Sequence, residues 1–139
     1  MLRCELVPES FFTAPGKEEK VFWKRIPSLG AVLLYEAATE ESLPELYYLL
    51  TALEKNPEYN KVHIAHVGGV LHLVIAQGKN LLLANLYEAP DFTTAQYYLF
   101  LALKQFQLNP EVTTVYVASP LGEEEEMSLY RYFKAVEPL

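Results

Sequence analysis

Apolar residues along this chain come in short runs broken by proline, glycine and charge. The stretches 21–26 (VFWKRI) and 31–37 (AVLLYEA) are β-prone, and Pro27-Ser28-Leu29-Gly30 separates them, which predicts strand, turn, strand. Ahead of them, residues 1–20 hold Pro8, Pro15, Gly16 and the charged cluster 17–20 around Phe11 and Phe12. They read as an irregular leading segment with at most a short edge strand.

Helical spacing follows. In Ser42-Leu43-Pro44-Glu45 a hydroxyl at the N-cap and a carboxylate three residues later form a capping box. Leu43, Leu46, Tyr47, Leu50 and Leu53 recur on one helical face until Asn56-Pro57 stops the run. Residues 61–67, 70–77 and 81–88 then read as three strands joined at Gly68-Gly69 and Gly78-Lys79. Glycine tolerates positive φ at such turns, so the three strands form an antiparallel meander. Asp91 caps a helix over 92–107 that Asn109-Pro110 ends. A strand over 112–118 and a last helix over 122–136 complete the chain, the latter with Met127, Leu129, Tyr130, Phe133 and Val136 inward.

Laid side by side, the two halves echo each other. Leu34-Tyr35-Glu36-Ala37, Tyr47-Tyr48-Leu49, Asn56-Pro57-Glu58 and Val62-His63-Ile64-Ala65 match Leu86-Tyr87-Glu88-Ala89, Tyr97-Tyr98-Leu99, Asn109-Pro110-Glu111 and Val115-Tyr116-Val117-Ala118. The nearly constant offset suggests a duplicated strand–helix–strand unit, although two unrelated units with Asn-Pro helix stops would also look alike. On either account the sheet is mixed, because helix crossovers favour parallel neighbours and the meander is antiparallel. The fold class is α/β, a mixed β-sheet with a three-stranded antiparallel meander and βαβ crossovers, in one domain over 1–139.

Charge narrows the partners. With 18 acidic and 11 basic residues the formal charge is -7, and such a field repels phosphate backbones and anionic membranes. No nucleic acid or membrane partner is expected. Cys4 is the one cysteine, which excludes an internal disulfide and fits a reducing compartment. No signal peptide and no apolar run of membrane-spanning length is found, so a cytoplasmic location is expected.

Candidate chemistry is sparse. His63 and His66 alternate to opposite faces of one strand and cannot share a metal ion. Glu123 to Glu126 lie where a helix begins and its dipole favours negative charge, and they oppose a phosphate there. Ser119-Pro120-Leu121-Gly122 reads as a connecting loop. No Walker loop, Rossmann glycine fingerprint, nucleophile elbow or thiol pair occurs, and no catalytic residue or metal site is assigned. Tyr97 and Phe100 fall on the stripe of the second helix that Thr93, Lys104 and Gln107 make polar, which marks them as candidate interface residues. A widened apolar face buried inside the domain accounts for them equally well.

A three-stranded meander, a long helix and a further strand is the arrangement of the ribonuclease-H-like core, the unit duplicated in actin-like ATPases. Gly78-Lys79-Asn80-Leu81, Asn85-Leu86-Tyr87, Tyr97-Tyr98-Leu99-Phe100 and Leu108-Asn109-Pro110-Glu111 resemble a family of bacterial proteins of unknown function. That family is best populated in the Bacteroidetes and has an actin-like ATPase-type fold. The likeness runs over 62–132, with a ribonuclease-H-like core expected over 61–136; Leu6-Val7-Pro8-Glu9 and Phe12 are similar to the family's central segment. Members are about twice this long, so the resemblance implies a half-domain without the first actin-like half. In actin-like ATPases the first hairpin carries Asp-x-Gly, whose carboxylate helps hold magnesium. The matching residues here are His66-Val67-Gly68-Gly69, and an imidazole does not serve a hard magnesium ion as a carboxylate does.

Two functions follow as expectations. One is a non-catalytic interaction or assembly module on a degenerate actin-like fold, without a cofactor, that meets a second copy of itself or another protein. The alternative is a nucleotide-binding protein or ATPase that uses ATP with Mg at His66, Gly68 and Gly69 and completes its site across a dimer.

Overall fold

The computed structural model describes residues 4–14, 20–37, 39, 41 and 43–139. Three strands make the first sheet: β1 (Cys4–Pro8), β2 (Val21–Ile26) and β3 (Ala31–Glu36), in the order β1-β3-β2 and antiparallel throughout. The leading segment thus contributes a short edge strand, and a 3-10 turn over Pro27–Leu29 joins the next two. Gly30 closes that turn at φ +59°, where a side chain would be strained.

The five-stranded sheet carries most of the chain. Its meander is β4 (Asn60–Val67), β5 (Val70–Gln77) and β6 (Asn80–Glu88), in the antiparallel register Val67↔Val70 and Gln77↔Asn80 at its two turns. Gly68 and Gly69 both have positive φ, +59° and +74°, which suits a two-residue hairpin turn. Beyond β4 lie β7 (Thr114–Val117) and β8 (Ala135–Pro138), both parallel, giving β6-β5-β4-β7-β8. Meander, long helix and further strand stand as the ribonuclease-H-like arrangement requires, and the sheet is mixed.

Three helices cover the two faces of this sheet. On one side α1 (Glu45–Thr51) buries Leu46, Leu49 and Leu50 in a cluster with Ala65, Val74 and Ala76 below and Ile26 and Leu33 of the first sheet above. On the other, α2 (Phe92–Gln105) and α3 (Glu123–Tyr130), with Phe133 of the turn after α3, bury Ala95, Leu99, Leu103 and Leu129 against Val62, Ile64, Leu71, Leu73, Ile75, Val115 and Val117. Strand alternation sends odd residues of β4 toward α1 and even ones toward α2. At about 25 cal/mol per Å² of apolar surface, such burial on both faces is the main favourable term in the fold.

Several elements depart from the sequence reading. The first helix has Pro44 as its N-cap and no side-chain cap; Ser42, expected there, lies outside the described residues. The second helix ends at Gln105 rather than 107, because Gln107 turns to φ +57°. Pro110–Val112 is a 3-10 turn, so β7 begins only at Thr114. The largest difference is at the end. The helix expected over 122–136 stops at Tyr130, and the chain returns as β8 alongside β7. Lys134 then gives its N–H to the carbonyls of Pro110 and Thr113, partners that a continued helix would not have used. Leu129, Phe133 and Val136 are buried as expected, whereas Met127 and Tyr130 are exposed.

The two echoing halves do share an order of elements, β3-α1-β4 and β6-α2-β7. They differ in architecture, since β3 and β4 belong to different sheets while β6 and β7 share one.

Candidate functional site

His66 lies at the end of β4, two residues before the double-glycine turn, on the face that α2 and α3 cover. Its Nε2–H donates to the Ala89 carbonyl at 2.7 Å, and its backbone N–H donates to the Ser119 hydroxyl at 3.0 Å. The ring stands edge-on to Phe92, 6.0 Å between centroids. This is where three chain segments converge: the end of β4, the start of α2 and the exit from β7. The parallel pairing of β4 with β7 brings Ser119 here, with Ala118 N–H bonded to the Ile64 carbonyl. Sequence reasoning passed over Ser119 as a plain loop residue, and only its place after a strand parallel to β4 would have exposed it.

Gly68 and Gly69 complete this corner, each for a backbone reason. A Cβ at Gly68 would meet nothing within 4 Å, and one at Gly69 would come only to 3.9 Å from the Pro90 Cα. Their positive φ is what requires glycine. Asp91, the nearby carboxylate, caps α2 by accepting from the Thr94 N–H at 2.7 Å. That bond holds its carboxyl below the usual range.

Magnesium with nucleotide is the group an actin-like fold brings to mind, and these residues do not fit it. The His66 Nε2 proton is spent on a carbonyl, the Asp91 carboxylate is engaged as a helix cap, and the four glutamates that open α3 oppose a nucleotide's phosphates. Magnesium is held by carboxylates and water oxygens. Among the described residues no group of three or more His, Cys, Asp or Glu stands together as a metal site.

The other two histidines are on the opposite face. His63 is fully buried, with Nδ1–H donating to the Leu49 carbonyl and Nε2 accepting from the Asn56 side-chain amide, both at 2.9 Å. Burial lowers its pKa, only partly offset by the Leu49 carbonyl. His72, opposite Ala65 in the register, has its Nδ1 buried without a hydrogen-bond partner, and burial lowers its pKa too.

The two aromatics of α2 separate. Tyr97 is 63% exposed. Phe100 is half-buried between Tyr132, 4.9 Å between ring centroids, and Phe133 at 5.7 Å. Among the described residues no helix is long and apolar enough to cross a membrane.

Comparison with known proteins places this geometry. A solved structure from Bacteroides thetaiotaomicron VPI-5482, described as a protein with actin-like ATPase fold and unknown function, superposes with a TM-score of 0.72 at 17% identity. The match takes in 99% of this chain, its leading sheet included, and 65% of the Bacteroides chain, so this chain spans just under two thirds of that relative. The fold is therefore actin-like. No curated protein matches. Residues 41–136 match the family described as "Protein of unknown function (DUF3822)", and the chain belongs to that family.

Proposed function

We propose that this chain is a non-catalytic interaction or assembly module built on an actin-like scaffold. The observation that carries this reading is His66. At the hairpin where actin-like ATPases place a metal-binding carboxylate, this chain has an imidazole whose Nε2 proton is committed to the Ala89 carbonyl. The positive φ of the glycines beside it is by itself enough to require glycine there. The Asp91 carboxylate near that corner caps α2, and the acids at the start of α3 oppose a phosphate.

Thermal unfolding with millimolar ATP and magnesium tests the reading. Ligand at a hundred times its dissociation constant adds about 2.7 kcal/mol, so a nucleotide protein shifts its midpoint by several degrees. The expected result is no shift and no phosphate release. A shift that Gly69→Ala abolishes would instead support the nucleotide-binding alternative, completed by a partner.

A further inference from the structure

Four strands end the two sheets, and three of them carry features that discourage pairing with another chain. β1 has five residues and holds Glu5 and Pro8; β8 has four and holds Glu137 and Pro138; β2 carries Lys24 and Arg25. Shortness, charge and proline are how sheets blunt a free edge. The fourth, β6, runs nine residues with no proline and no charge until its last residue, Glu88. Among the described residues its sheet partner is β5 alone.

One hydrogen bond shows which amides of β6 point away from the sheet. The Leu86 N–H goes to the Asn85 side chain at 2.8 Å instead of to β5. Since donors alternate along an antiparallel strand, Ala84 and Glu88 point the same way.

The helix above continues the uncharged strip. α2 lies across β5 and β6. Its Gln96 bonds Ser128 and its Phe100 packs on Phe133, so that side faces α3. Helical spacing puts Thr94, Tyr98, Leu101 and Gln105 on the opposite flank. Tyr98 stacks on Tyr87 of β6 at 4.9 Å, which sets this flank over the strand edge, and Leu101 is 49% exposed. On the α1 side a cavity of about 390 Å³ runs along the same strand, between Leu81 to Leu86 and Cys4, Glu5, Leu6 and Leu46.

We propose that β6 pairs antiparallel with β6 of a second copy of this chain, joining the two five-stranded sheets about a two-fold axis perpendicular to them. The inference rests on the interaction-module reading and names its partner. Strands are about 4.8 Å apart, so a helix over the β5–β6 pair lies about 5 Å from such an axis and its mate about 10 Å away, the distance of packed helices. A two-fold partner therefore sets Tyr98 and Leu101 of one α2 against the other α2. Its Ala84 and Leu86 side chains, on the α1 side, enter the cavity beside Leu46. In a two-fold register centred on Ala84, Asn85 or Leu86, Glu88 meets Asn80, Leu82 or Ala84 and never another acid. The remaining obstacle is the charge of -7 on each copy, which salt screens.

Sedimentation equilibrium of the full chain, from micromolar to sub-millimolar concentration at low and high salt, tests this. A dimer that tightens with salt is expected, with the amides of Ala84 and Glu88 exchanging more slowly as concentration rises. Asn85→Lys and Leu101→Glu, both at exposed positions, weaken it by about tenfold or more, while Met127→Glu on α3 leaves it unchanged. If Asn85→Lys does not fold, Leu101→Glu carries the test. A monomer throughout, a dimer indifferent to both variants, or assemblies that grow past two overturn the proposal. A monomer that binds a different protein overturns it but spares the interaction reading; a β6 dimer that turns over ATP does the reverse.

Discussion

Asn56 and His63 hold each other in the core between α1 and the large sheet, the Asn56 side-chain amide donating to His63 Nε2 at 2.9 Å. Asn56 Oδ1 in turn accepts the Glu58 N–H at 2.9 Å, which fixes the amide's orientation. His63 is thereby held neutral, as one tautomer, with Nδ1–H on the Leu49 carbonyl and the Tyr116 ring at 5.6 Å.

Protonating His63 would turn Nε2 into a second donor aimed at a donor. Its folded pKa lies below 6.5 because of burial, with Lys61 lowering it further. The unfolded chain thus binds more protons in weak acid, and stability present above about pH 6.5 is lost as the pH falls through the folded value. His72 acts in the same direction. Thermal midpoints should fall between pH 7 and pH 5, and His63→Ala should flatten that fall while removing about 2–4 kcal/mol at neutral pH.

Gly68→Ala should destabilise by about 1–2 kcal/mol in urea, through backbone strain alone. Its φ is +59° and a Cβ there meets nothing. A neutral outcome would mean that the turn has another conformation.

Tyr97 and Phe100, three residues apart, should separate in a denaturation assay of the monomer. Phe100→Ala opens a gap beside Tyr132 and Phe133 and should cost about 2–4 kcal/mol. Tyr97→Ala removes an exposed ring and should stay within about 0.5 kcal/mol.

Cys4 offers a probe of the leading sheet. Burial raises its thiol to about 11, so at pH 8 it remains protonated and reacts slowly with a disulfide reagent. Denaturant should speed the labelling markedly. Because the folded pKa is raised, this group's contribution is present below the unfolded value and lost as pH climbs from about 9 toward 11.

Much of the meander could be read before any coordinates. The boundaries at Val67 and Val70 and at Gln77 and Asn80 match the expected strands within a residue or so, because alternation and glycine turns are local properties. Asp91 as the cap of α2 is equally local. The corner around His66 was legible only in part. Its residue types and the paired glycines were visible, whereas Ser119 and the Ala89 carbonyl arrive from 53 and 23 residues away.

Sequence alone determined the meander, the long helix and an imidazole at the end of β4, since each follows from side-chain order within a few neighbours. Tertiary structure decided that residues 135–138 are a strand, that Phe100 is covered while Tyr97 is not, and that His63 is sealed against Leu49. Periodicity near Phe133 and Val136 suits a helix as well as a turn and strand. What chooses between them is the free edge of β7 and the carbonyls of Pro110 and Thr113, partners that exist only once the chain has folded back on itself.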